Sequence, residues 1–160
     1  MEVAVDMDRQ PGHLIRRAQQ VHHQLWTSMV SPDITPTQFA VLSAIAANPA
    51  IDQNTLARQT SLDTSTVADV VYRLDARGYL ARTKSPEDRR RYLITLTDEG
   101  RRIFAEISQA APRMTERLVG CLTEGDRRDL VRILRRVVEA GESPSATGLS
   151  VDLKRRDLIS

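Results

Sequence analysis

Between Asp52 and Leu96 the hydrophobic pattern changes from helical to strand spacing, and that change restricts the chain to a small set of folds. Asp52 stands where it can cap a short helix, Gln53 to Gln59. A tight connection at Thr60 to Leu62 follows, and Asp63 or Thr64 can cap a second helix running to about Arg77. In that helix Val67, Val70, Val71 and Leu74 fall at i, i+3, i+4 and i+7. One face therefore packs on a core, and Ser65, Thr66, Asp69, Tyr72 and Arg73 point elsewhere. Gly78 ends the helix. Two runs of strand character come next, Tyr79 to Thr83 and Arg91 to Leu96, separated by the turn-forming Ser85-Pro86-Glu87-Asp88 and a block of arginines. A helix-turn-helix followed at once by a β-hairpin with a basic tip is expected.

Helices flank this unit on both sides. Pro11 opens a long first helix to about Met29, with Ile15, Ala18, Leu25 and Met29 at helical spacing and His22 in the same row. Thr35 caps a second helix whose first residue is Pro36, and Phe39, Leu42 and Ile45 give it an apolar stripe that stops near Asn48-Pro49. After the hairpin, Thr97-Asp98-Glu99 reads as a helix start. Two further helices are predicted, about Asp98 to Leu118, bent by Pro112, and about Glu124 to Ala140, joined near Gly120. The fold class is mainly α with a small β-hairpin. A winged helix-turn-helix over residues 35–97 sits between helices at 10–30 and 98–140, all in one domain, 10–140, with a flexible N-terminus at 1–9 and a mobile tail at 141–160.

Composition bears on the partner. Apolar residues make up 41% of the 160 and charged residues 28%, a balance that suits one soluble core. Lys and Arg exceed Asp and Glu by only two, 23 against 21. Between Arg82 and Arg91, however, five basic residues face Glu87 and Asp88, so the hairpin is net +3 and the remainder about neutral. A helix for the major groove and a basic loop for the adjacent minor groove suit double-stranded DNA. The candidate contacts are Thr64, Ser65, Thr66 and Arg73 on the helix, and Arg82, Lys84, Arg89, Arg90 and Arg91 on the hairpin. Asp88 is placed to hold an arginine guanidinium that enters the minor groove. Taken singly, a basic loop can be only solvated and a helix pair only packed; their combination is what points to DNA.

Several classes are disfavoured. Cys121 is the single cysteine, so no internal disulfide forms, and no Cys/His spacing matches a zinc site; no metal is expected. The first thirty residues carry Asp6, Asp8, Arg16 and Arg17 and do not read as a secretory signal, and no apolar run is long enough to span a bilayer. A cytoplasmic protein without membrane contact is expected. No Gly-rich phosphate loop, Ser/His/Asp set or paired carboxylate cleft is found, so neither an enzyme nor a cofactor is expected.

The stretch Ser85-Pro86-Glu87-Asp88-Arg89-Arg90-Arg91, followed by Leu93-Ile94-Thr95-Leu96-Thr97-Asp98-Glu99-Gly100, resembles the wing and wing-to-helix signature of the MarR family of regulators. The resemblance extends over about Pro11 to Ala140. It implies that Asp88 and Arg90 occupy the family's wing Asp-x-Arg positions, with Arg90 the minor-groove residue, and that Asp63 to Arg77 is the recognition helix. It further implies a homodimer built from the first and last helices. Such a dimer sets its recognition helices about one turn apart on a pseudo-palindromic operator.

The first helix carries a second constellation. At 100° per residue Arg16, Gln19, His22, His23 and Trp26 fall within an arc of about 120°. Arg16 can grip a carboxylate bidentately, His22 can bond a phenol, and Trp26 can wall an aromatic ring. Equally, Arg16 can be solvated, His22 buried beside Leu25, and Trp26 part of a dimer core. The run from Pro11 to His22, continuing through Trp26 to Met29-Val30-Ser31, is similar to the N-terminal helix of protocatechuate-responsive members of the family. That implies an aromatic carboxylate effector with Arg16 and His22 as its contacts, and Trp26 as a further one. An aromatic acyl-CoA effector stays open. Oxidation sensing is disfavoured because Cys121 lies between the two C-terminal helices, metal sensing because His13, His22 and His23 lack a matching cluster, and a winged helix that binds protein instead of DNA because of the basic wing.

Overall fold

The computed structural model of the chain describes residues 6–88 and 90–142. Arg89 of the predicted DNA contacts, the first five residues and the tail from 143 onward lie outside the described residues. One turn of 3-10 helix, Met7–Arg9, leads into α1, Pro11–Met29, with Pro11 in the first turn where its missing N–H costs nothing. Helix α2, Pro36–Ala47, begins with a full capping box. The Thr35 hydroxyl accepts from the Gln38 backbone at 3.2 Å, and the Gln38 side-chain oxygen accepts from the Thr35 N–H at 2.9 Å.

Strand β1, Ile51–Asp52, and helix α3, Gln53–Thr60, come next, then α4, Thr64–Ala76, capped by Asp63. Ser61, left-handed at φ 51°, turns the chain sharply between the two helices. Strands β2, Leu80–Lys84, and β3, Tyr92–Leu96, form the wing; α5, Asp98–Val119, runs on through Pro112, and α6 spans Glu124–Glu142. The sheet departs from the expected two-stranded hairpin. Its order is β1-β3-β2, antiparallel throughout, with Ile51 opposite Ile94 and Leu80 opposite Leu96. The strands also begin one residue later than the sequence suggests, leaving Tyr79 and Arg91 in the flanking turns. The chain divides into two compact units, Met1–Leu118 and Val119–Ser160.

The core of the first unit is built as the helical spacing of α4 predicts. Val67, Val71 and Leu74 are fully buried with Ile34, Val41, Leu42, Ile45, Leu56 and Ile94, so α4 and the wing are both fixed to α2 and α3. Helix α1 contributes mainly Trp26 to this core, while Leu14, Ile15, Val21 and Met29 stay exposed. In the second unit α6 buries no residue and exposes Leu130, Val131, Ile133, Leu134, Val137 and Val138. Among the described residues no helix is long and apolar enough to cross a membrane.

Candidate nucleic-acid interface and effector helix

At the start of α4 the carboxylate of Asp63 accepts the Thr66 N–H at 2.8 Å and the hydroxyls of both Ser65 and Thr66. Those hydrogen bonds, Ser65 first, hold the Asp63 carboxyl far below the usual carboxylate range. With their hydrogens given to Asp63, the two hydroxyls present acceptor lone pairs, which suit base amino groups better than phosphate. Thr64 is exposed beside them, and Arg73 lies exposed two turns further on. The Arg73 Nε donates to Asp69 at 3.1 Å, an i,i+4 pair that aims the guanidinium along the helix. Tyr72, 67% exposed beside Arg73, extends the same surface and is absent from the contacts chosen by sequence.

The wing is held by its backbone. Buried Ser85 closes the loop, its N–H bonded to the Arg91 carbonyl at 2.9 Å, while the Arg91 N–H returns to the Asp88 carbonyl at the same distance. Asp88 accepts the backbone N–H of Arg90 at 2.9 Å. Among the described residues Asp88 fixes the peptide from which Arg90 springs, an Asp two residues ahead reaching a backbone N–H readily.

Three wing or helix arginines are committed within the fold. Besides Arg73, Arg82 pairs with Asp75 at 3.4 Å and Arg91 with Asp52 at 2.7 Å. Arg90 and Lys84 are exposed and make no ion pair among the described residues. Sequence reasoning missed the acidic partners. The spacing of Asp69 and Arg73 would have revealed the first, whereas Asp75 with Arg82 and Asp52 with Arg91 meet only through the tertiary fold. Arg82, Arg90 and Arg91 line one shallow cavity of about 210 Å³ with Asp52, Asn54 and Tyr92.

On α1 the Arg16 guanidinium is exposed, 3.3 Å from Nδ1 of His13 one turn earlier. His22 is half-buried, its ring 6.1 Å from that of Trp26 and tilted by 42°. Trp26 itself is only 4% exposed. Its indole N–H donates to the Ile34 carbonyl at 2.6 Å and its ring lies 5.4 Å from Phe39, which stacks on Phe104 at 5.7 Å. Arg16 and His22 are thus at the surface of α1 while Trp26 faces the chain's own core. His13 was not among the chosen ligand contacts; its i,i+3 spacing from Arg16 was the available signal. Among the described residues no group of His, Cys, Asp and Glu is arranged to hold a metal ion, and Cys121 is exposed.

A family model described as the MarR family matches residues 33–91, from the start of the α2 region through the wing. The crystal structure of the PcaV transcriptional regulator from Streptomyces coelicolor, in complex with its natural ligand, superposes with a TM-score of 0.85. It is 42% identical and covers 88% of this chain and 100% of that one. The chain belongs to the MarR family. As a MarR-family chain it is a DNA-binding regulator of transcription with a winged helix-turn-helix fold. Among its MarR-family relatives is the HTH-type transcriptional repressor NicR of Pseudomonas putida, 30% identical over 86% of this chain and 88% of that protein. A structure of BpsR from Bordetella bronchiseptica, described as showing how 6-hydroxynicotinic acid regulates DNA binding, is 32% identical. It covers 84% of this chain and 98% of that one, with a TM-score of 0.76.

Proposed function

We propose that this regulator is a homodimeric, cytoplasmic repressor that leaves a pseudo-palindromic operator when an aromatic carboxylate such as protocatechuate binds at α1. The observation that carries the DNA half of this reading is Arg90. Its guanidinium is unpaired among the described residues, yet its backbone is pinned by Asp88, so a cation is presented at a defined point without a competing acidic partner. Such a side chain suits the focused negative potential of a narrow minor groove, while the exposed face of α4 suits the neighbouring major groove. Arg73, Arg82, Lys84 and Arg91 supply phosphate contacts around it, together with Arg89.

The dimer is supported by apolar surface at both ends of the fold. Leu14, Ile15 and Val21 on α1 and, in the second unit, six exposed aliphatic residues spaced along α6 are each more apolar surface than one helix ordinarily leaves in water, and such surface suits contact with another chain.

The effector half rests on Arg16 and His22 together with the ligands of the relatives, a natural ligand in PcaV and an aromatic acid in BpsR. Arg16 carries no carboxylate partner among the described residues, so a ligand carboxylate displaces only water and the weak contact to His13. His22 offers a ring nitrogen to a phenolic hydroxyl. The ligand works only by binding the arrangement that cannot hold DNA more tightly than the one that can.

Fluorescence anisotropy of labelled DNA from the region upstream of its own gene, at fixed salt, tests the reading. Saturable binding reversed by protocatechuate, a hydroxybenzoate or a hydroxycinnamate is expected. Binding that none of these weakens overturns the effector assignment, and reversal only by the CoA esters moves it to an aromatic acyl-CoA.

A further inference from the structure

The short connection between α1 and α2 is gripped at two successive carbonyls by side chains from opposite functional elements. From α1, the Trp26 indole N–H reaches the Ile34 carbonyl at 2.6 Å. From the end of the recognition helix, Nη1 of Arg77 reaches the Asp33 carbonyl at 2.7 Å, across 44 positions of sequence. Arg77 is the C-cap residue of α4, and its guanidinium also lies 5.1 Å over the Tyr79 ring. It has no acidic partner among the described residues. An arginine at a helix C-terminus ordinarily serves the helix dipole from solvent; this one is tied to a distant backbone carbonyl.

The segment between the two grips is stiff. Pro32 fixes one φ, and the Ser31 hydroxyl accepts from the Asp33 and Ile34 N–H groups at 3.2 and 2.9 Å. The Ser31 N–H in turn holds the Trp26 carbonyl at 3.0 Å. A displacement at the Ile34 carbonyl therefore passes to the Asp33 carbonyl instead of being absorbed. A cavity of about 220 Å³ lined by Val30, Ile34, Arg77, Tyr79 and Ile103 lies against this segment and leaves it room to move. At the other end His22 packs on Trp26.

We infer that Arg77 is a positioning residue that couples the effector helix to the recognition helix, through the path His22, Trp26, the carbonyls of Ile34 and Asp33, and the C-cap of α4. The inference rests on the effector reading above for its physiological trigger, but the mechanical link stands on the free protein's geometry. An effector that turns His22 shifts the Trp26 ring, draws the connection with it, and re-aims or releases the end of α4. Linkage makes the path reciprocal: operator binding at α4 must be felt at Trp26.

Trp26 is the single tryptophan of the chain, so its emission reads the path directly. In the wild type, saturating operator DNA is expected to shift Trp26 emission. In Arg77→Ala, operator affinity stays within about 3-fold of wild type and protocatechuate binding by calorimetry is kept, while the operator-induced emission shift is lost. The weakening of operator binding by protocatechuate also falls about 10-fold, the scale of an ordinary allosteric coupling. Arg77→Lys, which keeps one donor, is expected to fall between, and stands in should the alanine variant lose its cooperative melt. An unchanged emission shift in the variants overturns the inference, as does a wild type whose emission ignores bound operator. If protocatechuate fails to bind the wild type, the effector reading falls while the emission arm still decides the link.

Discussion

One carboxylate joins the helix-turn-helix to the wing: Oδ1 of Asp52 accepts the N–H groups of Asn54 and Thr55 at 3.0 and 3.1 Å, and Oδ2 receives the Arg91 guanidinium at 2.7 Å. The same side chain thus caps α3 and anchors the start of β3, at the point where the wing loop ends. Asp52→Ala is expected to lower stability by about 1–2 kcal/mol, the range for a lost N-cap. Asp52→Asn keeps a capping oxygen and should lose less. Both are expected to weaken operator binding severalfold, because the wing then samples more orientations. Urea melts beside anisotropy titrations check this, and equal melts for wild type and Asp52→Ala would contradict it.

The pH dependence of stability follows from the same caps. Burial alone raises the Asp52 carboxyl, but hydrogen bonds from Thr55 and Asn54 and the charge of Arg91 outweigh it and leave the group below its ordinary value. Asp63 is held lower still by Ser65 and Thr66. Both folded values lie under the unfolded value of about 3.9, so the folded state binds fewer protons there than the unfolded chain. Their contribution is complete above that pH and is lost as pH falls through the folded values. Between pH 7 and 5 these two groups should therefore add no pH dependence to the melting temperature, and in Asp52→Asn and Asp63→Asn its decline below about pH 4 should be shallower than in the wild type.

Gly100 shows where α5 meets the turn that follows α4. A Cβ there would lie 2.0 Å from the Tyr79 carbonyl oxygen, which already accepts the Thr97 N–H, while the Thr97 hydroxyl donates to Gly78 and accepts from Gly100. Gly100→Ala must push backbone against backbone and is expected to cost more than about 2 kcal/mol. Gly78 differs in kind. It has φ +76° and open space around its α-carbon, so Gly78→Ala pays only for the left-handed conformation, about 1 kcal/mol. Denaturant melts should rank the two in that order, and the reverse ranking would discard the close-approach account.

How much of this was legible in the sequence depends on whether the cause was local. The caps at Thr35, Asp52, Asp63 and Thr97 and the buried row Val67, Val70, Val71 and Leu74 follow from spacing over one or two turns, and the structure has them there. Strand β1 did not show, because Ile51–Asp52 is too short to express a period and exists only through its pairing with β3. Trp26 shared an arc with Arg16 on a helical projection, yet it faces the core because Ile34 and Phe39, brought up by the next helix, accept its N–H and its ring. The pairings Asp75 with Arg82 and Asp52 with Arg91 likewise required the fold.

Arg16 is the side chain whose removal should separate sensing from DNA binding. It is exposed on α1, remote in sequence from α4 and the wing, and among the described residues its side chain bonds to His13 alone. Arg16→Ala is expected to leave the melt and operator affinity near wild type and to weaken protocatechuate binding at least about 10-fold, the loss of a charge-assisted bidentate contact. Calorimetry with the acid and with its uncharged methyl ester checks the role. Wild type should discriminate between the two and Arg16→Ala should not; discrimination that survives the substitution places the carboxylate elsewhere.

Arg90 and Arg91 adjoin in sequence but differ in what they are free to do, and that difference can be measured. Arg91 is tied to Asp52, whereas Arg90 has a fixed backbone and an uncommitted guanidinium among the described residues. Arg90→Ala should leave the melt unchanged, weaken operator binding by about 1–3 kcal/mol, and lower the slope of log affinity against log salt by about one. Arg91→Ala should instead lower the melt, since it frees the buried side of Asp52, and change the salt slope less. If the two variants exchange these signatures, with Arg91 carrying the salt dependence and Arg90 the stability, the wing meets DNA through its base and the minor-groove assignment of Arg90 is wrong.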